Sequence, residues 1–132
     1  MADVLITLNV DTSHISVQNV DPFCNFGQGP GITNEDFLTH ANAGDTIIWQ
    51  GRSTTSTADE VNITNIIHSG EANVFNQDNL PGNGLRPGKV LGVVRGNARG
   101  ETEKYTIQFN VFNNGTRRPG IFSIDPKLQI NQ

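Results

Sequence analysis

Four oxygen-bearing side chains, Asn76, Asp78, Asn79 and Asn83, crowd one stretch of this chain and come nearest to the makings of a binding site. Amide and carboxylate oxygens gathered in a loop can chelate a hard cation such as calcium, and they also suit the hydroxyls of a carbohydrate. One carboxylate is few for tight metal binding. Asparagine is also a turn former, so the stretch reads first as a loop shaped by its backbone needs.

The remaining candidates for chemistry fall away on spacing. His14, His40 and His68 lack the i,i+2 or i,i+4 separation that aims two rings at one metal. His68 and Ser69 are neighbours on a strand pattern, so they point to opposite faces and make no nucleophile–base pair. Blue copper needs two histidines and a cysteine near the final hairpin, where this chain reads Val111-Phe-Asn-Asn-Gly-Thr-Arg-Arg-Pro119. The single cysteine, Cys24, lies far upstream and excludes an internal disulfide. Gly27-Gln-Gly-Pro-Gly31 has no apolar strand before it and no helix after it, so it is a turn rather than a nucleotide loop. Gly82-Asn-Gly-Leu-Arg-Pro-Gly-Lys-Val90 has the wrong glycine spacing for a P-loop, and Val90 stands where Ser or Thr would bind magnesium. Trp49 offers either a stacking face for a sugar or a core side chain whose indole N–H needs a partner, and core packing is the simpler reading. No catalytic residue and no cofactor is expected.

The elements that position these residues are strands. Val4, Ile6, Leu8 and Val10 alternate with Leu5, Thr7 and Asn9, the period of two that marks a strand with one buried face. Ile15 and Val17 extend that alternation after an Asp11-Thr-Ser13 turn, and 20–34 reads as loop. Residues 36–41 fit an edge strand or a helical turn. Stretches 46–50, 61–68, 89–95, 103–112, 121–124 and 128–130 read as further strands. The clearest places Tyr105, Ile107, Phe109 and Val111 on one face. Asn113-Asn-Gly115 is a hairpin signal, because Asn and Gly tolerate the left-handed backbone of tight turns. Residues 75–87 read as one long loop, interrupted by Pro81 and Pro87. No window of ten or more residues carries a 3.6-residue apolar period. The expectation is one all-β domain over 1–132, an antiparallel sandwich of about seven or eight strands, Ig-like or jelly-roll-like, without substantial helix.

Composition agrees with that class. A chain of 132 residues buries roughly two-thirds of its unfolded surface without staples. Sixteen asparagines and fourteen glycines mean frequent turns. The net charge of −4 divides unevenly, with ten acids and one base over 1–85 against eight bases and three acids over 86–132. Sandwich topology interleaves chain halves into a mixed surface, while complementary patches would steer copies together. No basic stripe interleaved with aromatics suggests nucleic acid. The start lacks the pattern of a secretory signal, and no apolar run approaches the roughly 18 residues of a membrane span. A cytoplasmic protein is the expectation, which makes the sequons at Asn62 and Asn114 irrelevant.

Taken in order, the motifs resemble the bacterial inclusion-body protein family, PixA or AidA-like. Val4-Leu-Ile-Thr-Leu-Asn-Val-Asp-Thr-Ser-His-Ile15 looks like its opening strand and Asp-Thr turn, and Ala43-Gly-Asp-Thr-Ile-Ile-Trp-Gln-Gly51 is similar to its glycine–aspartate strand. Asp59-Glu-Val-Asn-Ile63, Ser69-Gly-Glu-Ala-Asn-Val-Phe-Asn76, Tyr105-Thr-Ile-Gln-Phe109 and Ile124-Asp-Pro-Lys-Leu-Gln-Ile130 resemble the later elements. The chain departs from the family in a shorter first loop, in few methionines, and in Ile124 where an aromatic often precedes Asp-Pro. The resemblance implies an all-β sandwich with no catalytic motif, made in bacterial cells, where some members accumulate as cytoplasmic inclusions. Two functions are expected from it and from the residues: a structural protein that self-associates as a homo-oligomer or higher assembly, or a carbohydrate-binding module using the polar loops.

Overall fold

The computed structural model describes residues 2–84 and 88–132; Leu85, Arg86 and Pro87, part of the expected 75–87 loop, lie outside the described residues. Two sheets face each other. The first has the order β2-β1-β4-β7, built from β1 (Asp3–Val10), β2 (Cys24–Asn25), β4 (Thr46–Ser53) and β7 (Val90–Val93). The second runs β3-β11-β8-β5-β6, from β3 (Leu38–Ala41), β11 (Lys127–Ile130), β8 (Thr102–Asn113), β5 (Glu60–Glu71) and β6 (Asn79–Pro81). Two further strands, β9 (Thr116–Arg117) and β10 (Phe122–Ile124), also pair with β8. The only helical element among the described residues is a 3-10 turn at Asp21–Phe23.

The sandwich is mixed rather than wholly antiparallel. β1 pairs in parallel with β4, and β3 in parallel with β11. Both parallel pairs join strands far apart in sequence, as they must, because a parallel return needs a crossover that a tight hairpin cannot supply. Residues 36–41 resolve as an edge strand, β3. Ile15–Val17 does not continue a strand; Ser16 and Asn19 form an isolated bridge, Ile15 is buried and Val17 exposed. The expected 75–87 loop contains β6, which pairs with β5 through Ile66–Leu80. The Asn113-Asn-Gly turn forms as expected, with Asn114 at φ 49° and Gly115 at 88°.

The interior is what the alternation implied. Ile6, Leu8 and Val10 of β1 and Ile47 and Trp49 of β4 meet Tyr105, Ile107, Phe109 and Val111 of β8, all buried. Each large apolar side chain so buried contributes about 1.5–3 kcal/mol. Gly92 sits inward at the middle of β7. A β-carbon there would lie 2.7 Å from Leu80 and 2.9 Å from Phe75, so glycine is what lets those two side chains back the strand.

Candidate functional site

The four loop residues are engaged in separate local bonds. Asp78 Oδ1 accepts a hydrogen bond from Asn73 Nδ2 at 3.0 Å, and its carbonyl accepts from the His68 amide at 2.9 Å. Asn79 Oδ1 accepts from Asn65 Nδ2 at 2.9 Å. Asn83 Oδ1 accepts from the Lys89 amide at 3.3 Å. Asn76 takes the left-handed conformation, φ 56°, that closes the turn begun at Asn73. These oxygens tie β5, β6 and the approach to β7 together. Among the described residues no three His, Cys, Asp or Glu side chains gather to hold a metal ion. Trp49 is fully buried, its indole N–H donating to the Tyr105 hydroxyl at 3.2 Å, so it presents no face to a sugar. Cys24 is also buried, and that burial, with Asp21 beside it, pushes its thiol up to about 12.

A carboxylate that the strand pattern hid lies in the core. On β8, the inward row of Val111, Phe109, Ile107 and Tyr105 extends one step further to Glu103, which is 1% exposed. Its Oε1 accepts from the Val74 amide at 2.7 Å, and its Oε2 lies 3.4 Å from Nδ1 of His68. His68 reaches it because β5 bulges between Ile63 and Asn65. One extra residue flips every later side chain to the other face. Ile63 and Ile66 therefore both point inward, and His68 follows Ile66 to pair with Tyr105. The period-two row on β8 was the signal that would have found Glu103; nothing in the sequence marks the bulge.

Two other carboxylates stitch loops. Asp45 accepts from the amides of Asn42 and Ala2, which hold it below the usual carboxylate range. Asp59 accepts from the Thr12 hydroxyl at 2.6 Å, Asn113 Nδ2 at 2.9 Å and the Asn114 amide at 3.0 Å. The Thr12 hydroxyl leads, ahead of Asn113, Asn114 and Arg118, in keeping Asp59 low against its burial. Arg118 completes the junction by donating to the Thr12 carbonyl at 2.8 Å. A separate open cleft of about 710 Å³ lies under the 21–35 loop, whose shape is set by the buried Asn34 donating to the Cys24 carbonyl and to Asp21.

The surface feature that stands out is the outer face of the four-stranded sheet. Leu5, Ile48 and Leu91 lie directly across β1, β4 and β7 from one another, and Val93 follows Leu91 two positions on. Leu5, Leu91 and Val93 are 57%, 52% and 61% exposed. β7 pairs only with β4 among the described residues, so the apolar row ends at an open sheet edge. Asp3 and Arg52 stand at opposite ends of the same face.

No family model and no curated relative matches this chain. Among solved structures it is similar to an inclusion body protein, PixA, of Burkholderia cenocepacia J2315, with TM-score 0.61 at 16% identity over 98% of this chain and 96% of that one. A weaker likeness, TM-score 0.43 at 12% identity and full coverage of both chains, is to the N-terminal domain of phage TP901-1 ORF48. No helix among the described residues is long and apolar enough to cross a membrane. The two-sheet, all-β architecture is a fold that this chain shares with that PixA inclusion body protein.

Proposed function

We propose that this chain is a non-enzymatic structural protein of the bacterial cytoplasm that associates with copies of itself into an inclusion, crystal or filament. The apolar row of exposed Leu5, Leu91 and Val93 about a half-buried Ile48 carries this reading. Such rows on a sheet normally pack against something, and single scattered apolar residues do not line up across three strands. A second copy fits the face through charge as well. A two-fold partner turns its Arg52 end toward Asp3, and the two charges alternate about the apolar centre.

Magnitude decides what kind of assembly results. Two strands of eight residues and one of four, about 4.8 Å apart, present a projected footprint on the order of 300 Å². That is below the roughly 800 Å² per partner of a stable interface, so each contact is weak and assembly follows protein concentration. Sedimentation velocity at neutral pH and low salt is expected to show concentration-dependent oligomers. The double substitution Leu91→Lys, Val93→Lys is expected to weaken association at least tenfold, about 1.4 kcal/mol, without loss of fold. A monomer at every accessible concentration defeats the proposal.

Carbohydrate binding is the second reading, favoured by the cleft under the 21–35 loop, which is of a size to admit a small saccharide. A glycan array probed with and without calcium decides it: no enrichment in either condition removes it.

A further inference from the structure

A continuous set of contacts runs from the buried end of β8 to the apolar edge strand. Glu103 Oε1 accepts from the Val74 amide at 2.7 Å, and the Val74 carbonyl accepts from the Arg95 amide at 2.9 Å, just past the end of β7. The Arg95 side chain donates through Nε to the Asn73 carbonyl at 3.1 Å and pairs with Glu101. Phe75, the next residue along the loop, packs its ring against Gly92 in the centre of β7. Segment 73–75 is therefore a strap across the back of β7, and Glu103 is the side chain that fastens it from below.

The fastening contains an unmet group. Nδ1 of His68 is buried and makes no hydrogen bond among the described residues, although Glu103 Oε2 is 3.4 Å away. Around the pair stand Tyr105 next along β8, Glu71 opposite Glu103 on β5, the Asp78 carbonyl on the His68 amide, and Arg95 across the strap. Lys104, between Glu103 and Tyr105, points outward, and β11 offers only the buried Leu128 opposite Glu103. The nearest groups thus leave one site for a proton, between Oε2 and Nδ1.

We propose that the Glu103–His68 pair is a proton-operated latch: a proton held between the two side chains keeps the 73–75 strap seated behind β7 and so strengthens association through the outer face. This rests on the self-association reading and adds its regulation. With a proton between Oε2 and Nδ1 the two side chains share one hydrogen bond, while Oε1 still accepts the Val74 amide. Ionised Glu103 holds Val74 more firmly but places a charge in an apolar row, and the second effect is larger. Burial pushes the carboxyl above its ordinary value of 4.5, while the Val74 amide, His68 and Arg95 draw it partly back. The sign follows. A raised carboxyl contributes stability that is full below the unfolded value and lost as pH rises through the folded one.

The test compares wild type with Glu103→Gln, which keeps the acceptor for Val74 and supplies an amide donor to Nδ1. Sedimentation of the full chain is expected to show wild-type association weakening about tenfold between about pH 5 and about pH 8, and the variant staying flat. Exchange of the Val74 amide proton, followed by NMR in dilute monomer, is expected to lose protection with rising pH in wild type relative to the variant. Matching pH profiles for Val74 in the two proteins overturn the latch whether or not either associates. Absence of association in both, with the Val74 difference present, overturns the self-association reading and leaves the latch standing.

Discussion

Replacing Trp49 by alanine is expected to lower the unfolding free energy by about 3–5 kcal/mol. The indole is fully buried, stands edge-on to Phe75 and to Tyr105 with ring centroids 5.5 Å away in each case, and donates to the Tyr105 hydroxyl. Alanine removes the largest side chain of the interior and opens a void between the two sheets. It also strands the Tyr105 hydroxyl, which is buried and shares its face with Glu103. Trp49→Phe separates the two losses, because it keeps much of the volume and drops the hydrogen bond. Urea unfolding monitored by circular dichroism should show a lower midpoint in both variants, the alanine change costing at least twice as much. A loss below about 1 kcal/mol for Trp49→Ala would contradict a tightly packed interior at this point.

Asp59→Ala is expected to cost about 2–4 kcal/mol at neutral pH. The carboxylate joins the Thr12 turn, the 53–59 loop and the β8–β9 hairpin, and its loss leaves the buried Thr12 hydroxyl and the Asn113 amide short of an acceptor. Thr12 keeps contacts to Ser53 and Thr55, at 2.7 and 3.1 Å, which limit the damage. The pH dependence is opposite in sign to that of Glu103. Because the Thr12 hydroxyl and its companions hold Asp59 below 3.8, its contribution is present above that value and lost as pH falls through the folded one. The gap in stability between wild type and Asp59→Ala should therefore be full at neutral pH and narrow in strong acid. Thermal unfolding of both proteins at neutral pH and near about pH 3 measures it, and a gap that widens in acid would refute the assignment.

Most strands were legible because each has one buried face. β1, β4 and β8 alternate cleanly, and the Asn113-Asn-Gly turn needs only local backbone chemistry. The short strands β2, β6 and β9 were not legible, since two or three residues carry no period, and Pro81 argued against pairing in β6. Ile15 misled for a related reason: it packs into the core from outside any strand, so its apolar character signals packing without a ladder. The candidate residues split the same way. Of the loop candidates, Asn76 closes a turn and Asp78 braces it through Asn73, while Asn79 opens β6 and Asn83 lies beyond it. The apolar row of Leu5, Ile48 and Leu91 was invisible, because each residue sits on a different strand and only the register aligns them.

By itself, then, the order of side chains determined that this protein is built of strands, which residues of β8 face inward, and where the last hairpin turns. Those properties follow from period and from the backbone freedom of individual residues. Tertiary structure alone decided that β1 runs parallel to β4, that a bulge in β5 turns His68 toward Glu103, and that three distant leucine and isoleucine side chains form one row on the outer face. Pairing between strands far apart in the chain is a choice among near-equivalent edges, and it is made by the burial of the whole interior rather than by any segment alone.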